Sequence, residues 1–260
     1  MQIKGNTFIV TGGASGLGEA TARELIRQGA NVAIFDLNEE KAVSVVKVLG
    51  PNAFTPGTVD VTSEEIVKSA IAATVARFGK LAGVVNCGGV ATAAKTAKPG
   101  KSVGTMTLDM FDFTVRVNLI GTYNVSRQIA SILVNQEPLN EDGERGVIIN
   151  TASIAYQDGQ VGQVAYSASK GGVAAMTLPM ARDLAPYGVR VVTIAPGIFE
   201  TAMTDVTPDS LRPKLLRDTE FPKRMGRPSE YAKLVAQVVE NTMLNGETVR
   251  LDGATRLGKL

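Results

Sequence analysis

Short apolar runs alternate with helix-period segments along the whole chain, and that alternation limits the fold more than any other feature of the sequence. Strand patterns fall near 6–11, 31–36, 53–60, 82–87, 146–152, 189–195 and 247–252, with helical stretches between them. Strands regularly separated by helices predict an α/β fold with a parallel, doubly wound sheet of seven strands. The punctuation agrees: Gly29, Gly79 and Gly188 follow helical stretches, and Ser63 with Glu64 and Glu65 opens another. No internal repeat or low-complexity linker interrupts the rhythm, and strand signals continue to the C-terminus. One domain over 1–260 is therefore expected, with 44% apolar and 20% charged residues, enough for a sizeable core.

Three stretches break the pattern. Residues 88–106 and 197–228 follow strands, on the sheet edge where ligands bind, and the second is expected to form a substrate loop. The third, NQEPLNEDGER at 135–145, precedes a strand and reads as a solvated turn.

Absences narrow the chemistry. The chain has no His, which removes a Ser-His-Asp hydrolase, and a single cysteine, Cys87, cannot build a structural zinc site or an intrachain disulfide. No metal is expected. Cys87 reads as a small buried apolar residue. A net charge of +2, spread along the chain, gives no case for nucleic acid. The N-terminal MQIKGNTFIVTGG lacks the apolar core of a signal peptide, and no stretch approaches the ~18 apolar residues of a membrane helix. A soluble cytoplasmic protein with a small-molecule substrate is the expectation.

The first strand runs into TGGASGLG and then an amphipathic helix. Gly12, Gly16 and Gly18 allow a tight turn and close backbone approach, while Ser15, Gly16, Leu17 and Gly18 start a helix whose free N–H groups suit a pyrophosphate. The second strand ends in NVAIFD, placing Asp36 where a carboxylate can bond the adenosine ribose, unless it caps the next helix. No Arg or Lys stands at 37 or in the glycine turn to offset a 2′-phosphate, so NAD is expected rather than NADP. Asp60, followed by Val61, can touch adenine or cap the following helix.

Ser153 ends the strand GVIINTAS, and Tyr166 and Lys170 follow in YSASK. On a helix from about 163 to 184, positions four apart share a face, so the Lys170 ammonium would sit by the Tyr166 phenol. An opposite charge that close shifts a pKa by roughly 1 to 3 units, which would draw the phenol from its usual value near ~10 towards that of a general base. Ser153 would then orient the substrate oxygen.

TGGASGLG, Asp36, NCGG at 86–89, Asn118, Ser153 with YSASK, and Ala195-Pro196-Gly197 followed by Thr201 together resemble the short-chain dehydrogenase/reductase family over essentially the full length. The resemblance implies a Rossmann-type domain binding NAD, with Tyr166 as catalytic acid/base, Lys170 lowering its pKa and holding the nicotinamide ribose, and Ser153 fixing the substrate oxygen. It also implies that Asn118, through its side chain and a freed backbone carbonyl, supports a water relay to the lysine, that Asn86 and Gly88 shape the turn beside the adenosine half, and that Thr201 bonds the carboxamide. Gly88 departs from the alanine common in the family.

Longer strings, such as MTLPMARDLAPYGVRVVTIAPGIF, resemble a branch that oxidises (S)-3-hydroxyacyl-CoA thioesters and some hydroxysteroids and forms homotetramers. The resemblance, not the residue chemistry, names that substrate. Lys95, Lys98 and Lys101 can meet CoA phosphates or simply be solvated, and Ile198, Phe199, Met203, Leu211 and Leu215 can line an acyl pocket or form a lid packed on the sheet. A hydroxysteroid or other small secondary alcohol is the alternative substrate, and a non-catalytic NAD-binding scaffold the alternative class.

Overall fold

Seven strands form one parallel sheet in the order β3-β2-β1-β4-β5-β6-β7. In chain order the elements are β1 (Thr7–Thr11), α1 (Gly16–Arg27), β2 (Asn31–Phe35), α2 (Glu39–Leu49), β3 (Ala53–Phe54), α3 (Glu64–Phe78), β4 (Gly83–Asn86), α4 (Leu108–Val115), a π-helical turn (Arg116–Gly121), α5 (Thr122–Leu133), β5 (Gly146–Thr151), α6 (Val164–Leu184), β6 (Val189–Pro196), α7 (Pro228–Glu240) and β7 (Thr248–Leu251). The structure, a computed structural model, describes residues 1–100, 104–201, 204 and 216–258. Lys101, Met203, Leu211 and Leu215, and much of the expected 197–228 loop, lie outside the described residues.

The apolar runs are continuous because both faces of the strands are covered. Phe8, Val10, Val32, Ile34, Ile149 and Val192 pack against Leu25 of α1 and Val235 of α7. Alternate positions, Ile9, Phe35, Val84, Ile148 and Val191, pack against Val67 and Ile71 of α3 and Ile129 and Leu133 of α5 on the other side. Adjacent β-residues point to opposite faces, so both sets of positions in these strands meet packed helices, and most are apolar or small.

Two expectations need correction. The third strand covers two residues rather than 53–60, because Pro56 offers no N–H and Gly57 adopts φ +102; the chain rejoins the edge through Asp36 and Thr58. The polar segment 135–145 is not merely solvated. Glu144 is buried and its carboxylate receives the Arg190 guanidinium at 2.7 Å, while Arg190 also donates to the Val238 and Val239 carbonyls near the end of α7. The partner lies far along the chain, so the polar run alone looks like surface.

The strand order reverses between β1 and β4, and the turns leaving those strands define a crevice at the carboxyl edge of the sheet.

Candidate active site

The first wall of the crevice is the glycine turn. Gly12 has φ +61, and a Cβ there would lie 2.8 Å from the Gly88 Cα, so the turns after β1 and β4 touch through backbone alone. A Cβ on Gly18 would collide with the Gly12 carbonyl oxygen, which explains why α1 can start directly against β1. Ser15 stands at the N-cap of α1, exposed, and its side chain makes no capping bond, so the first-turn N–H groups are left for another acceptor. Leu17 anchors the same turn in the core. Across the crevice, Pro196 ends β6, Gly197 lies close against Asp252, and Thr201 reaches over Gly16, where a Cβ would meet its methyl group at 3.3 Å.

Asp36 sits where β2 ends. Its Oδ2 accepts the Ala14 N–H of the glycine turn at 3.0 Å and its Oδ1 accepts the Asn38 N–H at 2.9 Å. Asn38, not Asp36, caps α2, so the capping alternative is resolved against Asp36. Asp60 is held in a local turn with the Thr62 N–H and hydroxyl on Oδ1, ahead of Ser63, which caps α3. Val61 packs onto Gly121 and its carbonyl accepts from Asn124. Asn86 is buried and its amide donates to Ser126 of α5 and to Asn150 of the neighbouring strand β5; its place is under the crevice floor, and the turn beyond it is formed by Gly88, whose N–H donates to Thr11 Oγ1.

These groups fit a dinucleotide. The uncapped helix start suits a diphosphate, the glycine surfaces admit close approach, and a carboxylate stands one strand away.

The reactive side chains converge at the other end of the crevice. Tyr166 and Lys170 occupy consecutive turns of α6, and the Lys170 Nζ lies 5.9 Å from the Tyr166 ring centroid. The ammonium donates to the Thr151 carbonyl at 2.8 Å, at the end of β5. Burial dominates the electrostatics, pushing the Lys170 ammonium down to about 8 and the Tyr166 phenol up from its ordinary value. The Ser153 hydroxyl is the group that acts to lower the phenol. This corrects the expectation that Lys170 draws Tyr166 down: its charge is directed at Thr151, and the shared apolar surroundings penalise both charged forms.

Asn118 lies within the π-helical turn and is fully buried. Its Oδ1 accepts the Val90 N–H at 2.8 Å and its Nδ2 donates to the Val90 carbonyl at 2.9 Å and to Ser169 Oγ at 3.0 Å. The side chain therefore clamps the loop after β4 to α6, and the Asn118 carbonyl accepts from the Thr122 hydroxyl. The side-chain amide of Asn118 is thus engaged by Val90 and Ser169. A π-turn at a functional site is a familiar device for presenting one residue out of register.

At the N-terminal end of α6 an open depression of about 440 Å³ is lined by Lys95, Thr96, Gly159, Gln160, Val161 and Ser167, among others. Lys95 lines that depression, and both Lys95 and Lys98 are exposed. Ile198 is half-buried, and Phe199 is buried in the main core against Gly226 rather than open to a pocket. Sequence reasoning also missed Ser169, which links Asn118 to the Tyr166 carbonyl, and Tyr231, whose hydroxyl meets Thr151 at 2.7 Å; Cys87, half-buried, packs against the core as expected and in addition hydrogen-bonds to both Tyr231 and Thr151. No fixed spacing announces these contacts.

Among the described residues no helix is long and apolar enough to cross a membrane. The short chain dehydrogenase family matches residues 6–211. A 3-hydroxyacyl-CoA dehydrogenase type-2 from Rattus norvegicus is 50% identical over 256 residues, 98% of this chain and 97% of the relative. The crystal structure of 3-hydroxyacyl-CoA dehydrogenase type-2 from Mycobacterium avium superposes with a TM-score of 0.92 at 42% identity, covering 98% of this chain and 97% of that one. That of 3-ketoacyl-(acyl-carrier-protein) reductase from Brucella melitensis complexed with NADH gives 0.84 at 27% identity, with 97% and 98% covered. The crevice, the convergent Ser153, Tyr166 and Lys170, and a family match across most of the chain lead to one conclusion: this protein is an oxidoreductase that belongs to the short-chain dehydrogenase family.

Proposed function

We propose that the enzyme interconverts (S)-3-hydroxyacyl-CoA and 3-oxoacyl-CoA with NAD as cofactor, working as one catalytic and dinucleotide-binding domain over 1–260, in a cytoplasmic homotetramer. The observation that carries the chemistry is the placement of Tyr166 and Lys170 on one face of α6, with Ser153, just beyond β5, hydrogen-bonded to the Tyr166 phenol. The relatives' printed names supply the substrate class.

NAD, when bound, supplies a hydride acceptor at its nicotinamide ring, and NADH the corresponding donor. Gly12, Ser15, Gly16, Leu17 and Gly18 would hold the diphosphate and Asp36 the adenosine ribose. Asp60, Val61 and the Asn86–Gly88 turn border the adenosine half, and Lys170, Pro196, Gly197 and Thr201 the nicotinamide half. Ser153 orients the substrate oxygen. Tyr166 takes the hydroxyl proton when the alcohol is oxidised and returns it when the ketone is reduced. With its phenol raised by burial, Tyr166 rests in the acid form at neutral pH, the state that donates in the reductive direction. Lys170 puts a positive charge beside the phenolate that forms on oxidation, and Asn118 fixes the loop that closes this end of the crevice.

Consumption of NADH, followed by its absorbance, tests both halves of the reading. Acetoacetyl-CoA and longer 3-oxoacyl-CoA thioesters should be reduced with higher kcat/KM than a keto-steroid; the reverse ranking reassigns the substrate. Tyr166→Phe should keep NADH binding and lower kcat by about 10² or more, the scale of general acid–base catalysis. Turnover that survives the substitution would remove Tyr166 from the mechanism, and absence of turnover with every carbonyl substrate would leave a binding protein.

A further inference from the structure

Behind Lys170, on the core side of the sheet edge, lies a buried polar cluster that the reaction itself does not use. Tyr231, on α7, is fully buried, and Thr151, the last residue of β5, nearly so. Their hydroxyls are 2.7 Å apart. Cys87, just after β4, places its Sγ 3.7 Å from the Tyr231 hydroxyl and 3.7 Å from the Thr151 hydroxyl. With Tyr231 donating to Thr151, Thr151 to Cys87 and Cys87 to Tyr231, the three groups close a ring in which each donates once and accepts once. The ring is neutral, since burial raises both the Cys87 thiol and the Tyr231 phenol.

Packing does not require this arrangement. Phenylalanine, valine and alanine would occupy nearly the same space without taking three polar groups out of water, and buried polar sets of that kind are often neutral for stability when replaced together. What the ring adds is direction. It fixes the side-chain rotation of Thr151, and the carbonyl of that same residue is the acceptor for the Lys170 ammonium. Three separate elements, the end of β4, the end of β5 and α7, thereby meet at the one residue that anchors the lysine.

We infer that Tyr231, Thr151 and Cys87 form a positioning device for Lys170, so that Tyr231, which touches neither substrate nor cofactor, sets the placement of the ammonium through Thr151. The inference rests on the proposed catalytic role of Lys170. Misplacing a catalytic group by a fraction of a bond length lowers turnover without removing any contact to the ligand.

The test is a double-substitution cycle on the full-length enzyme with a 3-oxoacyl-CoA and NADH. Tyr231→Phe keeps the ring in the core and removes only the hydroxyl; it should lower kcat about fivefold, the worth of one directional hydrogen bond, and leave the Kd for NADH within about twofold. Thr151→Val should do the same, and Thr151→Ser should restore kcat relative to Thr151→Val. The double variant Tyr231→Phe/Thr151→Val should be no slower than either single one, because both break the same linkage. Thermal melts on each variant separate a folding defect from a catalytic one. If Tyr231→Phe lowers the melting temperature but leaves kcat unchanged, or if the two losses multiply, the ring is structural and the inference is overturned. Lys170→Met run in parallel distinguishes the two levels: if it retains full turnover, the catalytic reading of Lys170 falls and takes the positioning role with it, whereas loss there combined with an unaffected Tyr231→Phe sinks the positioning role alone.

Discussion

Replacing Lys170 with methionine should cost the enzyme its activity and stabilise its fold, and the structure sets the size of the second effect. The ammonium is 5% exposed, and burial brings its pKa from 10.5 to about 8. At neutral pH the lysine is protonated in both the folded and the unfolded chain, so the folded state carries the whole penalty of burying that charge. A displacement of this size corresponds to about 3 kcal/mol. Methionine fills most of the same volume without the charge. It leaves the Thr151 carbonyl without its donor, which returns roughly 1 kcal/mol of the gain. Lys170→Met is therefore expected to be about 2 kcal/mol more stable than the parent at pH 7 while its kcat falls by two orders of magnitude or more.

The pH dependence carries the sharper test. Because the folded pKa lies below the unfolded one, the unfolded chain binds the extra proton between pH 8 and 10.5, and the parent gains stability as pH rises through that window. The advantage of Lys170→Met is full below about pH 8 and should be gone by pH 10.5. Urea unfolding of both proteins at pH 7, 9 and 10.5, at one protein concentration so that assembly contributes equally, measures it directly. A variant less stable than the parent at pH 7, or an advantage that persists unchanged at pH 10.5, would refute the claim that a desolvated ammonium is stored at this site.

Gly18→Ala places a Cβ against the Gly12 carbonyl with only backbone around it, so the turn must shift; a loss of about 1–3 kcal/mol in unfolding free energy together with weakened NADH binding in a fluorescence titration is expected. Asn118→Ala leaves the Val90 N–H and carbonyl and the Ser169 hydroxyl without their partner, which should cost about 2–4 kcal/mol by chemical denaturation and lower kcat as the loop after β4 loosens. Asp36→Ala removes the carboxylate proposed for the ribose, and the Kd for NADH should rise by about tenfold or more, with discrimination against NADPH reduced in parallel.

Much of this was legible in the sequence because it is written in local spacing. The continuous apolar runs announced buried parallel strands, since strands with helices on both sides bury both of their faces, and all seven strands are present in the sheet. The glycine turn was legible because only glycine tolerates the approach of Gly12 to Gly88 and of Gly18 to Gly12. Tyr166 and Lys170 could be paired because four residues on a helix is itself a geometric statement. Where a local signal was diluted, the reading slipped: the strand expected at 53–60 had the right composition, but Pro56 cannot donate to a neighbour and the ladder stops at Phe54.

The remainder was illegible for a different reason: it depends on which partner arrives from elsewhere in the chain. Glu144 sits in a run of polar residues that looks like surface, and only the folded chain brings Arg190 to it, 46 positions away. Asn118 was singled out by its motif, yet its amide is consumed by Val90, 28 positions earlier. Cys87, Thr151 and Tyr231 come from three places in the chain up to 144 positions apart, and nothing in any one segment marks it as part of a ring. The electrostatics follow the same rule. Spacing alone placed a positive charge beside a phenol and predicted that the phenol would fall, but a lowered phenol requires that the lysine keep its charge and turn it towards the ring oxygen. The fold buries that lysine and directs it to a backbone carbonyl, so the sign of the Tyr166 shift is decided by desolvation, a property of the assembled core that no four-residue interval contains.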